Sequence, residues 1–172
     1  MDRRTAYTRM VLKDALLEML VDHHLEDITV KELCERADVN RSTFYRNFSD
    51  VYDLFEQTER ELTEKAFSTG DMRNDRFALL DVIYQNQAFY REFFRAHMRS
   101  PFVEETIRSF GEKMREELKA RGSYDEETFG VFYRYNVHGV VGVIGDWLDG
   151  GCKKTPQELG ELLYAVVDRQ YR

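Results

Sequence analysis

The chain has 172 residues, 42% of them apolar, with 12 Phe and 10 Tyr against only two Pro and ten Gly; that suffices for a packed helical core and excludes wholesale disorder. No run approaches the ~20 apolar residues that span a bilayer. The polar N-terminus lacks a secretory signal, and two cysteines, Cys34 and Cys152, suit a reducing cytoplasm better than a disulfide framework. A formal charge of −7 excludes indiscriminate coating of nucleic acid, whereas local recognition depends on where the cations sit.

Residues 1–50 carry eight Lys/Arg and ten Asp/Glu, yet the basic groups gather. Arg3, Arg4 and Arg9 open the chain, the first two in a short arm over residues 1–7, and Arg41 and Arg46 lie further on. From Thr8 to about Asp22, Leu12, Ala15, Leu16, Met19 and Leu20 recur at the spacing of one helical stripe. Thr29 and Glu32 form a capping box that opens a second helix, with Val30, Leu33 and Cys34 inward. Asp38 and Val39 make a turn, and Asn40 caps a third helix. On that helix Phe44 and Phe48 share one face and leave Arg41, Ser42, Thr43, Tyr45, Arg46 and Asn47 outward. Two short helices and a polar second face are the plan of a helix-turn-helix reader of the DNA major groove.

Ser49–Asp50 caps a fourth helix, and the breaker cluster Ser68–Thr69–Gly70–Asp71 marks the best domain boundary. Helices are expected over Asp75–Asn86, from Gln87 to about Arg99, and from Pro101 to about Arg121, where Gly122 ends the last. Asp125–Asp149 is the longest and most apolar segment. Thr155, Pro156 and Glu158 open a final helix. No strand-like alternation of useful length occurs.

The stretch Thr29–Phe48, TVKELCERADVNRSTFYRNF, together with Ala15, Leu16, Leu20, Asp50 and Leu54, resembles the tetracycline-repressor (TetR/AcrR) family of regulators. Phe89–Arg95 and His138–Leu159 resemble one branch of that family. The resemblance implies an all-α protein, with an N-terminal three-helix helix-turn-helix DNA-binding domain and a C-terminal helical ligand and dimerisation domain. The expected division is 1–50 for the reader, 51–70 for a connecting helix and 71–172 for the regulatory part. Contacts to double-stranded DNA fall, by the family plan, on Arg41, Ser42, Thr43, Tyr45, Arg46 and Asn47, and Thr29 meets a phosphate. Where the family has Gly, this chain has residues near His24 and at Asp38, so positive φ is expected at both. Where the family often has a phosphate-binding Lys, this chain has Val51.

Gly139, Gly142 and Gly145 recur every three residues inside the long apolar helix, at a cost of ~1 kcal/mol each in helix propensity. That cost is offset either by close helix packing or by space for a ligand. With Trp147, Leu159, Leu163 and Val166 they form the expected homodimer seam. Tyr84, Tyr90, Phe94, His97, Tyr133 and His138 are candidates to line a cavity for an unidentified small-molecule effector. The four histidines lack metal-ligand spacing, and no nucleophile elbow, phosphate loop or His-Glu-x-x-His helix occurs. Neither metal, cofactor, catalytic activity nor membrane attachment is expected. The leading reading is a cytoplasmic, ligand-responsive dimer repressing from a pseudo-palindromic operator. The alternative is a coactivator of the same fold, working through a protein partner without an operator of its own.

Overall fold

A computed structural model describes residues 3–68, 77–96, 101–120, 122 and 125–170, which form nine α-helices and one 3-10 turn, with no strand among the described residues. α1 (Arg3–Met19) buries Leu12, Ala15, Leu16 and Met19 along one stripe. It begins at Arg3 rather than near Thr8, since nothing in RRTAY breaks a helix, so the expected basic arm is helical from its third residue. It stops where the Met19 carbonyl accepts from both the His23 backbone N–H at 2.9 Å and, at 3.2 Å, the His23 ring.

The 3-10 turn Leu25–Asp27 follows, with His24 at φ −77° and ψ 150°. The expectation of positive φ at His24 is therefore wrong. The chain has already reversed through residues 20–23, which leaves His24 extended as the cap of the turn. At Asp38 the expectation is met, with φ 51° between α2 (Val30–Arg36) and α3 (Arg41–Phe44).

α4 (Val51–Ser68) opens with reciprocal caps. The Asp50 carboxylate accepts the Asp53 N–H at 2.8 Å, and the Asp53 carboxylate accepts the Ser49 N–H at 2.8 Å. Burial works against the charge on Asp53, but the bonds its carboxylate accepts from Gln57 and Ser49 outweigh it and hold its pKa below the ordinary value. Val51 is buried and joins the core.

The second half comprises α5 (Ala78–Gln85), α6 (Gln87–Arg95), α7 (Pro101–Ala120), α8 (Glu126–Asp149) and α9 (Pro156–Gln170). α9 has the expected capping box, with the Glu158 N–H donating to Thr155 Oγ1 at 3.2 Å and the Thr155 N–H donating to Glu158 Oε2 at 2.8 Å. α4 ends at Ser68; the rest of the expected breaker cluster, Thr69–Asp71, lies outside the described residues.

One apolar core runs from Leu12 and Leu16 on α1, through Leu33, Phe44 and Phe55, to Phe89 and Leu148 in the second half. The Phe55 and Phe89 rings stack with centroids 4.1 Å apart, which ties α4 to α6. A polar contact lies beside this apolar one. Glu92, on the buried stripe of α6, accepts the Leu25 N–H at 3.0 Å, the His24 ring at 2.9 Å and the Arg95 guanidinium at 2.9 Å. A carboxylate only accepts, so His24 Nδ1 carries the proton in that bond. Burial opposes the charge on Glu92, yet the donors from Arg95, His24 and Leu25 more than offset it and bring its pKa down to about 2.

Candidate nucleic-acid interface

The reading face is built from residues that are individually ordinary. Asn40 Oδ1 accepts the Ser42 N–H at 3.0 Å and so starts α3. Thr43 and Phe44 donate their N–H groups to the Asn40 carbonyl at 2.8 and 3.1 Å. α3 is a single turn, and the backbone curls on through Phe48, whose N–H reaches the Phe44 carbonyl at 2.9 Å. A helix this short has no stability of its own; Phe44 and Phe48, both buried, with rings 5.8 Å apart, hold it down. Tyr45 packs edge-on against Phe44 at 5.5 Å and still leaves 57% of its surface exposed.

Of the six residues expected outward on this element, Arg41, Ser42, Tyr45 and Arg46 are exposed, while Thr43 and Asn47 are half-buried. The half-buried pair braces the others. Arg46 donates to Thr43 Oγ1 at 2.8 Å, and Asn47 donates to the Thr43 carbonyl at 2.8 Å. The fork of Arg46 is thereby oriented before any ligand arrives.

Thr29 lies at the start of α2, exposed, with its hydroxyl donating to Glu32 Oε2 at 2.7 Å and accepting the Glu32 N–H at 3.3 Å. The Thr29 hydroxyl and the Thr29 backbone N–H, which also donates to Glu32 Oε2 at 3.1 Å, pull the Glu32 carboxyl below its ordinary pKa. A phosphate at Thr29 must displace that carboxylate.

The supporting cations are less available than their clustering suggests. The Arg9 guanidinium lies 4.8 Å over the Phe48 ring, bonds Gln57, and approaches Glu61 at 3.6 Å. It braces α1 and α4 beneath the reader. Sequence reasoning missed this role and that of Glu92. The signal for Glu92 was legible: in FYREFFR it falls three residues after Phe89, on the stripe that Phe89, Tyr90 and Phe93 bury.

The residues expected to line an effector cavity are dispersed. Tyr84 is exposed and stacks on Trp147 at 5.9 Å; Phe94 and Tyr133 are half-buried; His138 is exposed. Tyr90 is fully buried and its hydroxyl has no hydrogen-bond partner among the described residues. His97 lies outside the described residues.

Of the expected dimer seam, Trp147 and Leu159 are buried within the protomer, and the Trp147 ring N–H donates to the Lys154 carbonyl at 2.9 Å. Gly139 and Gly142 lie exposed on α8, and a Cβ added at Gly139, Gly142 or Gly145 meets nothing within 4 Å. Packing among the described residues therefore does not explain these three glycines. Beside them Val131, Tyr135 and Val143 of α8 are exposed, as are Leu162 and Val166 of α9, with Leu163 half-buried.

Among the described residues no helix is long and apolar enough to cross a membrane, and no three His, Cys, Asp or Glu side chains group as metal ligands.

Comparison with known proteins agrees with this geometry. The pattern of bacterial regulatory proteins of the tetR family matches residues 12–58, and a transcriptional regulator C-terminal region matches residues 77–169, more than half of the chain. An uncharacterised HTH-type transcriptional regulator of Bacillus subtilis (strain 168), YxbF, is 30% identical over 76 residues, covering 44% of this chain and 19% of that protein. The dhaKLM operon transcriptional activator DhaS of Lactococcus lactis subsp. lactis (strain IL1403) is 24% identical over 96 residues, 54% of this chain and 51% of DhaS. The matched regions thus span about half or less of these relatives. In architecture the likeness is longer. A solved structure of the dihydroxyacetone kinase operon activator DhaS superposes with a TM-score of 0.64 over 95% of both chains at 17% identity. The fatty acid degradation regulator FadR from Bacillus halodurans gives 0.59 over 93% of this chain and 94% of its own, at 15% identity. With its reader, its helical second half and both family patterns in register, the chain belongs to the TetR family of transcriptional regulators.

Proposed function

We propose that the protein is a dimeric, effector-responsive regulator in the cytoplasm, whose two readers bind a pseudo-palindromic operator and repress from it. The observation that carries this reading is the exposed set Arg41, Ser42, Tyr45 and Arg46, fixed on one turn by the buried Phe44 and Phe48. In this reading residues 1–50 form the reader, 51–70 the connecting helix, and 71–172 the regulatory and dimerisation part. Arg41 reads a guanine edge bidentately, a contact worth ~1–3 kcal/mol of discrimination. Arg46, Tyr45 and Ser42 hold phosphates, with Thr43 and Asn47 behind them and Thr29 flanking. The exposed glycines and apolar side chains of α8 and α9 meet their equivalents in the second copy, supported by the open space around Gly139, Gly142 and Gly145. An effector that favours one spacing of the readers shifts the population on or off DNA. Tyr90, with its unpartnered hydroxyl, is the residue of this set best placed to meet a polar effector.

A second reading, a coactivator of the same fold that acts through a protein partner without binding an operator of its own, is favoured by two observations. DhaS, similar in sequence and fold, is an operon activator. Val51 is buried where the family often has a phosphate-binding Lys.

The deciding experiment is selection of DNA from a random library by the full chain, followed by binding at several salt concentrations and a reporter driven from the selected site. Retained specificity with Arg41→Ala or Tyr45→Ala sinks the operator reading. Rising reporter output replaces repression by activation.

A further inference from the structure

We propose that Glu92 is the positioning residue that sets how each DNA reader is angled against the regulatory half. The inference deepens the operator-binding reading and rests on it. Two kinds of contact join the halves around α6. The stacked Phe55 and Phe89 rings are apolar, and apolar contact is non-directional, so it tolerates sliding. Glu92 is different. It is buried, and its carboxylate is met by three separate donors whose geometry fixes a direction.

The decisive donor is the Leu25 backbone N–H. It is the first amide of the 3-10 turn, it belongs to a buried residue, and Glu92 supplies the acceptor from 67 positions away. The path onward is short. The Ile28 N–H returns to the Leu25 carbonyl at 3.3 Å, and the next residue, Thr29, is the cap of α2. On the other side, neighbouring Arg91 donates to the Leu148 carbonyl at 3.3 Å, near the end of α8, the helix that carries the exposed glycine face. Directional bonds therefore link the buried C-terminal end of α8, through the neighbouring residues Arg91 and Glu92 of α6, to the turn that precedes α2. Arg95 stiffens it, gripping Glu92 and reaching Glu26 on the turn at 3.4 Å. Loss of Glu92 keeps the shared apolar core but removes the directional bond that fixes the tilt of the reader.

The test uses the full chain and two independent readouts. In the first, the site selected by wild type is rebuilt with one base pair added or removed between half-sites, which rotates one half-site by about a tenth of a turn. Wild type loses affinity at least about tenfold for each change. Glu92→Ala binds every spacer within about threefold of the others, and Glu92→Gln, which keeps an oxygen for the Leu25 amide, lies between. A Glu92 that merely stabilises the fold would lower the melting temperature and weaken all spacers equally; that outcome, or an unchanged spacer profile, overturns the proposal. The second readout needs no DNA. Spin labels at Lys31→Cys on α2 and Asp146→Cys on α8, with Cys34 and Cys152 replaced by Ser and the labelled chain diluted in an excess of unlabelled chain, report one intramolecular distance distribution. It broadens in Glu92→Ala and in Glu92→Gln, and an unchanged width in both overturns the proposal. If wild type selects no DNA, the operator reading fails by itself, and the distance measurement still decides the role of Glu92.

Discussion

Replacing Glu92 by Gln keeps the size of the side chain and gives it the uncharged state that wild type reaches only in strong acid. The Glu92 carboxyl stands at about 2 in the folded protein, against an ordinary 4.5. A carboxyl depressed on folding contributes stability that is fully present above its unfolded pKa and is lost as pH falls through the folded one. The difference corresponds to roughly 3 kcal/mol at pH 6, at ~1.4 kcal/mol per pH unit. About half of that should remain near pH 3, and little at pH 2. Urea denaturation of wild type and Glu92→Gln at pH 6, 4 and 3 measures it directly, since acid effects common to both cancel. In melting temperature the gap at pH 6 should be about 6–12 °C for a chain of this size. A gap that is the same at pH 6 and pH 3 would show that the donors around Glu92 stabilise shape rather than charge, and would refute the reasoning.

Four further outcomes follow from single positions. Gly139→Ala should raise protomer stability by up to ~1 kcal/mol through helix propensity, because the added Cβ meets open space, yet weaken self-association in sedimentation. Gly160→Ala should lower thermal stability by ~1–3 kcal/mol, because its Cβ would collide with the Phe77 ring. Tyr90→Phe should stabilise the effector-free protein by about 1 kcal/mol in denaturation, by removing a buried hydroxyl that has no hydrogen-bond partner among the described residues. Asp38→Val should cost roughly 1–2 kcal/mol while Asp38→Gly costs nothing, because the backbone there is left-handed at φ 51°.

Much of the architecture was legible because local chemistry and tertiary packing agree. Thr29–Glu32 and Thr155–Glu158 are capping boxes in the sequence and in the structure. The stripe Leu12, Ala15, Leu16, Met19 is buried as its period requires. The left-handed turn at Asp38 follows from the family pattern and the tolerance of Asp for it. What could not be read are contacts between positions far apart in sequence. The His24 conformation is one case: a reversal there looked necessary until the chain turned earlier and His24 was enlisted by Glu92 on α6. Arg9 is another. Its sequence neighbours suggested a loose basic arm, but Phe48 and Gln57 take its guanidinium. Long-range polar pairing has no period, and so leaves no trace in local spacing.

The one-turn length of α3 has a consequence for genetics. Because the surface Arg41–Tyr45 borrows its shape from Phe44 and Phe48 beneath it, a screen for lost regulation cannot sort its hits by exposure. Small changes in Leu12, Leu33 or Phe55, none of them near DNA in the proposed complex, loosen the floor on which the turn rests and imitate the loss of a base contact. Such mutants would keep most of their helix signal and still fail to regulate. Suppressors that restore them should then map to the buried floor, not to the reading face.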